Sequence, residues 1–363
     1  MEATAYVLKH PELWPTYGFP DAFWPRAIES FERGDKTVSG RMDFSIKEDG
    51  SLKCFEYNAD SASCLFECGL SQGAWMTAAG QGDSGADAGV GLFDMLAHAW
   101  KRVGLASGST VHFLHDGETD EEKYHSLYMM LAAQSVGLVC KRYATVDGFT
   151  FRDGTPVDPD GITVTHIWKT WAYATLLDRW QGNPLRTDGA PGVHDVILNP
   201  NVRVFEPLWT AVAGNKAILP ILSQLYPDDP HLLFTSPTLT PTLLKNGFAA
   251  KPTQGRCGEN VSIHRPEVGS DGQSHDAVTA ELKGRFGSNE LVYQELAVLP
   301  KLDGLYVQIN AFVVGEGFAG LVTRVDASAI MNVDSECTSL RVVQDGSGVA
   351  LPTVESVMAA ATP

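Results

Sequence analysis

Four polar side chains alternate along two segments that are typical of a β-hairpin. Arg41 and Asp43 lie two residues apart in the first segment, Glu56 and Asn58 lie two apart in the second, and residues 48–51 form a polar turn between them. Alternate residues of a strand face the same side, so one face gathers all four. Carboxylate and amide oxygens are ligands that Mg²⁺ prefers, and an adjacent Arg can hold a transferring phosphoryl group. A surface hairpin with ordinary ion pairs is the alternative.

A second set of residues suits phosphate groups. Lys251 ends a predicted strand and precedes a turn that contains Arg256 and Gly258. Backbone N–H groups and a cation in such a turn can contact phosphates, although a plain connecting loop is the alternative because the P-loop pattern does not occur. Lys216 stands before an apolar run and either reaches phosphate or is solvated. The strand at 292–297 either meets an adenine edge or is an ordinary strand.

The densest acidic cluster follows a predicted strand end. Such a cluster compensates the charge of an ammonium group. Thr119 and Glu122 also fit a capping box, and acidic residues near a helix start are favoured by the helix dipole. The spacing leaves both interpretations open. The cluster comprises Asp116, Glu118, Asp120, Glu121 and Glu122.

Two further segments carry single candidate residues. An aromatic-rich segment, more typical of a core than of a ligand platform, supplies Lys169 and Thr175 as polar contacts. Arg324 ends a strand, where its guanidinium can take a carboxylate or form an internal salt bridge to Asp326 or Asp334. The sequence has no Ser/His/Asp order, nucleophile elbow or HExxH helix.

Composition narrows the classes of partner. Of 363 residues, 44% are hydrophobic, which suffices for a substantial core. The 27 basic and 44 acidic residues give a formal net charge of −17, which disfavours nucleic acid and anionic membranes. The six Cys show no CxxC pair or zinc-site spacing, and no apolar run reaches the roughly 20 residues of a membrane span. We expect reduced thiols and a soluble cytoplasmic protein.

The hydrophobic periodicity predicts a layered α/β protein whose second half is mostly antiparallel β. Before residue 200 we expect a helix near 21–33, the hairpin, a loop at 79–91, a helix at 92–103, a strand at 111–115, a helix from Thr119 and a strand at 136–143. After residue 200 we expect a helix at 215–225, strands at 248–251 and 261–263, a polar insertion at 264–286, and strands at 290–296, 305–314 and 319–325.

Together, these segments resemble one protein family. The sequences RMDF, FEYNADSAS, EEKYH, WKTWAYAT, VFEPLWTAVAGNKAILPIL, AKPTQGRCGEN, VYQEL and LPKLDGLYVQI occur in this order between about residues 17 and 337. They resemble the synthetase domain of the bifunctional glutathionylspermidine synthetase/amidases.

The resemblance implies an ATP-grasp fold with a pre-ATP-grasp-like α/β region. We therefore expect that region at 1–200, with a metal- and substrate-binding hairpin at 41–63, then a nucleotide-binding region at 201–343 and a frayed tail at 344–363. The resemblance also implies a ligase that uses ATP and Mg²⁺. In that family the glycine carboxylate of glutathione becomes an acyl phosphate, which an amine of spermidine attacks.

The resemblance also implies roles for individual residues. Asp43, Glu56 and Asn58 would hold magnesium ions, and Arg41 would stabilise the transferring phosphoryl group. Nucleotide contacts are implied for Lys216, Lys251, Arg256, Gly258, Gln294, Glu295, Leu296, Ala297, Ala329, Ile330 and Met331. Glutathione contacts are implied for Ser61, Glu122, Thr175 and Arg324, and spermidine contacts for Glu121 and Glu336.

The sequence departs from the family in two respects. It lacks the amidase half, so we expect no hydrolysis of glutathionylspermidine. Glu336 stands where the family has Asp, so the amine is the least constrained substrate. The alternatives are the same ligase chemistry on another peptide and amine, or a catalytically idle relative that binds polyamine or nucleotide. We expect small-molecule substrates and no nucleic-acid or membrane partner, and a homodimer is left open.

Overall fold

The computed structural model describes residues 1–47, 49–115, 119–181, 191–268 and 274–344. The α-helices in these ranges are α1 (Glu2–Lys9), α2 (Trp14–Tyr17), α3 (Phe23–Glu32), α4 (Gln72–Ala78), α5 (Leu92–Arg102), α6 (Asp120–Ser135), α7 (Tyr173–Gln181), α8 (Val193–Ile197), α9 (Thr210–Gly214), α10 (Ile218–Leu225) and α11 (Pro241–Asn246). A 3₁₀ helix spans Pro11–Leu13 and a π-helix spans Glu67–Ser71. Within the described ranges, every helix is too short or too polar to cross a membrane.

The strands fall into three larger sheets and two short pairs. They are β1 (Ser39–Ile46), β2 (Leu52–Asn58), β3 (Ala86–Asp87), β4 (Thr110–Leu114), β5 (Val139–Tyr143), β6 (Thr150–Arg152), β7 (Thr155–Val157), β8 (His166–Lys169), β9 (Arg203–Phe205), β10 (Thr235–Ser236), β11 (Phe248–Pro252), β12 (Ser262–Val268), β13 (Ser274–Glu281), β14 (Leu291–Glu295), β15 (Lys301–Leu302), β16 (Leu305–Val314), β17 (Gly317–Asp326), β18 (Glu336–Thr338) and β19 (Arg341–Val342).

The predicted hairpin belongs to the main antiparallel sheet. The strand order is β18-β17-β16-β1-β2, so β1 pairs with β2 on one side and with β16 on the other. The hairpin is thereby joined to strands that follow it by more than 200 residues in the chain. A boundary near residue 200 would separate neighbours in this sheet, and the division of the chain into two regions stays a prediction.

The predicted strand–helix–strand unit is confirmed in a second, parallel sheet. Its order is β5-β4-β8-β9, and α6 connects the parallel strands β4 and β5. The strand predicted at 136–143 begins only at Val139, because Val136 ends α6 and Gly137 turns the chain with φ at 88°. Glycine adopts this left-handed conformation without the steric cost that a Cβ brings.

The third sheet corrects one prediction. Its order is β10-β14-β11-β12-β13, and β12 with β13 occupies most of the segment 264–286 that the sequence predicts to be a polar insertion. These two strands lie at the sheet edge, and the described side chains of residues 264–267 and 276–279 are largely exposed. An exposed edge hairpin lacks the alternating apolar pattern by which strands are recognised.

Three smaller differences concern helix and loop limits. The helix predicted at 215–225 begins only at Ile218, as α10, because Asn215 has an extended backbone after the end of α9 at Gly214. The segment 79–91 is not wholly a loop, since β3 pairs with β19. The helices predicted near 21–33 and 92–103 are confirmed as α3 and α5. Residues 345–363 of the predicted tail lie outside the described residues.

A hydrophobic core fixes the main sheet to the parallel sheet and its helices. Phe312 of β16 and Val322 of β17 are fully buried in one cluster with Leu96 of α5 and Met129 of α6. A buried aromatic side chain contributes a large apolar area to such a core. This core holds β16 and β17 against α5 and α6. Because β16 pairs with β1, the hairpin is fixed to the same core.

Replacing Phe312 by Ala tests this packing. Phe312 is 0% exposed, so Phe312→Ala should lower the free energy of unfolding by about 3–5 kcal/mol, measured by urea unfolding. Phe318 on the neighbouring β17 is 63% exposed and is the matched control, so Phe318→Ala should change it by less than about 0.5 kcal/mol. Equal losses in the two variants would contradict the assigned core.

Candidate active site

A cleft of about 760 Å³ lies over the polar face of the hairpin. Antiparallel pairing places Arg41 opposite Asn58 and Asp43 opposite Glu56, and all four side chains line the cleft. A β-bulge follows, since the next pair joins Phe44 to Cys54 and passes over one residue of β2. Bulges commonly redirect side chains beside functional sites. The four polar side chains thus share one face, as their spacing predicts.

Arg41 and Asp43 form a buried ion pair in the cleft wall. Nε and Nη2 of Arg41 donate to the two carboxylate oxygens of Asp43 at 2.8 and 3.0 Å. Asn58 and Asn310 donate to the same carboxylate at 3.2 and 2.7 Å. Burial would lower the pKa of Arg41, but Asp43 raises it above its ordinary value. Removing either partner would leave the other charge buried without compensation.

Glu56 and two lysines form a second charged group. Nζ of Lys216 lies 2.9 Å from Oε2 of Glu56 and donates to the carbonyl of Gly255 at 3.1 Å. Nζ of Lys251 donates to Oε1 of Gln294 at 2.6 Å. Burial would raise the pKa of Glu56, but Lys216 and Lys251 lower it to about 2, while burial lowers the pKa of Lys251 to about 8. The cleft therefore keeps an ionised carboxylate beside cations at neutral pH.

The turn after β11 packs against a segment at the other wall of the cleft. Gly258 has φ at 68°, and a Cβ at this position would collide with the carbonyl of Met331 and the side chain of Ile330. Both the positive φ and the close approach require glycine. Gly258 thereby lets the turn approach residues 329–331 at this end of the cleft.

The start of α6 supplies carboxylates to the cleft. The Thr119 hydroxyl accepts a hydrogen bond from the Glu122 backbone N–H at 3.4 Å, which is one of the two hydrogen bonds of the predicted capping box. Glu121 and Glu122 also line the cleft. Oε2 of Glu122 is buried and has no hydrogen-bond partner among the described residues. The start of α6 therefore both caps the helix and lines the cleft. Asp116 and Glu118 of the predicted acidic cluster lie outside the described residues.

Arg324 lines the cleft from β17. It donates a hydrogen bond to the backbone carbonyl of Asn332. Asp326, one of the two acids considered as its partner, accepts from Asn332 Nδ2 at 3.0 Å and from Ser335 Oγ at 2.6 Å. The guanidinium of Arg324 is therefore held at the cleft by backbone contact, and its other nitrogens can face a ligand.

Lys169 has a structural position, whereas Thr175 lines the cleft. The Lys169 side chain is 1% exposed and donates to the backbone carbonyls of Asp60 and Trp171 at 3.0 and 2.7 Å. Burial lowers the pKa of Lys169 to about 8. The Lys169 ammonium group thus donates its hydrogen bonds within the protein. This position does not support the prediction that Lys169 contacts a ligand.

Every residue to which the family resemblance assigns a ligand lines this one cleft. The individual roles stay predictions. The sequence interpretation did not single out several other cleft residues, among them Ser63, Cys64, Glu67 and Cys337. Nη1 of Arg41 donates to the carbonyl and the hydroxyl of Ser63 at 3.2 and 3.0 Å. In the sequence, these four residues are marked only by lying near motif residues, and such nearness does not by itself indicate a chemical role.

The oxygen atoms of the hairpin fit a magnesium ion. Asp43, Glu56 and Asn58 supply two carboxylates and an amide at adjoining positions. In the described part of the chain no group of three or more His, Cys, Asp or Glu side chains could hold a metal ion. A site with two carboxylates is still sufficient for Mg²⁺, which usually keeps several waters and binds phosphate oxygens as well.

Glu67 is a carboxyl group with an altered proton affinity. Burial, and then the neighbouring Cys64 and Glu121, raise the pKa of Glu67 from 4.5 to about 7. A raised carboxyl pKa leaves stability unaffected below the ordinary value and reduces it as the pH rises towards the folded-state value. The ionised side chain of Glu67 therefore destabilises the folded protein above neutral pH.

Glu67→Gln should remove this pH dependence. We expect the variant to be more stable than the wild type, with the free energy of unfolding measured by urea unfolding at two pH values. The difference between variant and wild type should be larger by roughly 2 kcal/mol at about pH 8 than at about pH 5.5. Glu12 is exposed and serves as the matched control, so Glu12→Gln should show no such increase. The same gain for Glu67→Gln at both pH values would refute the assigned shift.

Comparison with known proteins identifies relatives of the whole described chain. A family model described as glutathionylspermidine synthase preATP-grasp matches residues 1–343. The bifunctional glutathionylspermidine synthetase/amidase of Escherichia coli (strain K12) is 37% identical over 358 residues, covering 95% of this chain and 56% of that protein. Trypanothione synthetase of Crithidia fasciculata is 38% identical over 355 residues, covering 94% and 53%. The chain spans about half the length of these relatives.

A solved structure has the same type of fold. A glutathione synthetase-like effector (GSS30) from Globodera pallida, in its apo form, matches with a TM-score of 0.50 and 11% identity, covering 94% of this chain and 84% of that chain. At this identity the likeness concerns the fold alone, and with the family match it confirms the predicted α/β fold of the ATP-grasp type. The family match and the identities show that this chain belongs to the glutathionylspermidine synthase preATP-grasp family.

Proposed function

We propose that this chain is an ATP- and Mg²⁺-dependent carboxylate–amine ligase. It joins the glycine carboxylate of glutathione to an amine of spermidine through an acyl phosphate. The observation that carries the proposal is the meeting of the Arg41–Asp43 pair with Glu56, Lys216 and Lys251 in one cleft. Catalysis of phosphoryl transfer consists largely of positioning and charge stabilisation, which such a set provides. The names of the relatives supply the substrate class.

Asp43, Glu56 and Asn58 are the residues that would hold magnesium. When bound, Mg²⁺ offsets the negative charge that develops as the phosphoryl group leaves ATP. The carboxylates of Asp43 and Glu56 pair with Arg41 and Lys216 in the structure. Lys216 therefore stands where a phosphate oxygen could take the place of the Glu56 carboxylate, while Arg41 stays held by Asp43.

Arg41 is the residue that would stabilise the transferring phosphoryl group. Its guanidinium is held by the Asp43 carboxylate and by the carbonyl and hydroxyl of Ser63. A cation fixed before the reaction stabilises developing charge without the cost of reorganisation. The hairpin thus supplies a preorganised charge at the acyl phosphate.

The nucleotide would lie along the third sheet. Lys216 and Lys251 suit the phosphates, and the strand end that follows β14 suits the adenine, with the segment beside the Gly258 turn as a further contact. The turn would close over the nucleotide and exclude water from the acyl phosphate. The residues assigned to adenine and to that further contact are Gln294, Glu295, Leu296, Ala297, Ala329, Ile330 and Met331. Arg256 belongs to the closing turn.

The two substrates would occupy the end of the cleft between α6 and β17. Arg324 suits a carboxylate of glutathione because a guanidinium can donate two parallel hydrogen bonds. Ser61, Glu122 and Thr175 are the other polar groups assigned to glutathione. The carboxylates of Glu121 and Glu336 would compensate the ammonium groups of spermidine.

Two alternatives remain distinct from this proposal. One is the same ligase chemistry on another peptide and amine, which is the nearest competitor because the family resemblance implies Asp where this chain has Glu336. The other is a catalytically idle relative that binds nucleotide or polyamine. The four polar side chains of the hairpin are all present and all line the cleft, which favours a working site over an idle one.

Release of phosphate from ATP separates the three hypotheses. With Mg²⁺, glutathione and spermidine together, we expect sustained release and a product whose mass equals the two substrates minus one water. Either substrate alone should give little release, because transfer of the acyl group needs the amine. Release with a different thiol peptide or polyamine supports the first alternative. No release with any pair in such a panel supports the idle relative and contradicts the proposal.

Arg41→Ala tests the phosphoryl role. We expect turnover to fall at least about a hundredfold, because a preorganised charge at the transition state is lost, while nucleotide binding measured by calorimetry is largely retained. Arg41→Lys keeps the charge but not the two parallel hydrogen bonds and should also be impaired. Arg102→Ala, which removes an ion pair with exposed Glu316, is the control. Unchanged turnover in Arg41→Ala, with folding verified by circular dichroism, would remove Arg41 from the mechanism.

A further inference from the structure

Two thiols meet at the substrate end of the cleft. The Sγ atoms of Cys64 and Cys337 are 3.5 Å apart, and both residues line the cleft. Cys64 follows the hairpin and is 8% exposed, while Cys337 lies on β18 opposite Arg324. Sulfur atoms in a disulfide are about 2 Å apart, so an approach of about 1.5 Å would join the two side chains.

The surroundings of Cys64 favour its thiolate form. Ser63 Oγ lies 3.7 Å from the sulfur and Nη1 of Arg41 lies 3.9 Å from it. The hydrogen bond from Cys337, and then the charge of Arg41, lower the pKa of Cys64 to about 6 although burial opposes this, and the same hydrogen bond raises the pKa of Cys337. The thiolate is the reactive form of cysteine. These contacts favour Cys64 over Cys337 as the attacking thiol.

Other cysteines differ from this pair. Cys140 contacts the carbonyl of Met130, outside the cleft, and burial raises the pKa of Cys140 to about 12. Burial also raises the pKa of Cys54 to about 12. Such thiols are largely protonated at neutral pH and react slowly with oxidants. The geometry and the thiolate character thus coincide at Cys64.

We propose that a hydroperoxide converts Cys64 and Cys337 into a reversible disulfide that switches the cleft off. The Cys64 thiolate attacks the peroxide, an S–O bond forms and the O–O bond breaks. The leaving alkoxide or hydroxide takes up the proton that the Cys64 thiol released and departs as alcohol or water. The Cys337 sulfur then attacks the sulfenic sulfur, an S–S bond forms, the S–O bond breaks and hydroxide leaves with the Cys337 proton as water. The two sulfurs lose two electrons in total, which reduce the peroxide.

The disulfide would alter the positions of groups assigned to the substrates. It would tie β18, which carries Glu336, to the segment in which Ser63 accepts hydrogen bonds from Arg41. A displacement of about 1 Å of a positioning group can reduce turnover a hundredfold. This consequence for turnover rests on the proposed ligase function, whereas formation of the disulfide does not.

Peptide mapping after oxidation tests the pairing. The full chain, first reduced, is treated with an equimolar amount of hydrogen peroxide, blocked with N-ethylmaleimide and digested. We expect a peptide in which Cys64 is linked to Cys337, which dithiothreitol separates. In Cys337→Ser, whose hydroxyl can still donate to the Cys64 sulfur, oxidation should stop at a Cys64 sulfenic acid that dimedone traps. In Cys337→Ala, which lacks this donor, the same adduct should form more slowly. Cys140→Ser should behave as the wild type. Absence of the linked peptide from the oxidised wild type would overturn the proposal.

Phosphate release tests the switch on portions of the oxidised and reduced chain taken before blocking and digestion. In the wild type, release should fall at least about tenfold on oxidation and recover on reduction. A linked peptide with unchanged release would overturn the switch. If the reduced chain shows no release with any substrate pair, the ligase function is refuted instead, and the linked peptide still decides whether Cys64 and Cys337 form the redox pair.

Discussion

The compensation of buried charge within the hairpin is the constraint on which the cleft depends. A guanidinium and a carboxylate away from water cost several kcal/mol unless they pair and satisfy their hydrogen bonds. Arg41 and Asp43 meet this requirement only because β1 lies between β2 and β16, which bring Asn58 and Asn310 to the same carboxylate. The central position of β1 therefore lets both neighbouring strands satisfy these buried groups, and the cleft forms on the face where the charges meet.

Local sequence patterns were sufficient for the parts of the fold that local physics determines. The alternation in β1 and β2 predicted the hairpin and its polar face, and the cap at Thr119 predicted the start of α6. The periodicity also gave β16 at 305–314 with its observed bounds. Each of these elements is defined by its own turn, cap or alternation. The family resemblance then brought together segments that no single pattern connects.

The parts that could not be predicted depend on long-range contact or on exposure. The Asn310 side chain reaches Asp43 across 267 residues, and Cys337 reaches Cys64 across 273. Neither contact leaves a signal in a local window, because the pairing of β1 with β16 and of β17 with β18 creates it. The edge hairpin of β12 and β13 was missed for the opposite reason, since exposure removes the apolar pattern. Glu67 also lines the cleft, but it lies outside the recognised motifs and no local pattern marks it.

The pairing of opposite charges across the cleft also affects how ligands of the proposed function would bind. Lys216 compensates Glu56 in the structure, so a phosphate that draws Lys216 away leaves a buried carboxylate without a partner. In the proposed function, Glu56 would hold a divalent cation when Lys216 turns to a phosphate oxygen, so neither charge would stay buried without a partner. Binding of the metal and of the phosphate would then each favour the other, and such coupling is reciprocal by thermodynamic necessity. Charges paired in this way would therefore favour the nucleotide together with its metal over either one alone.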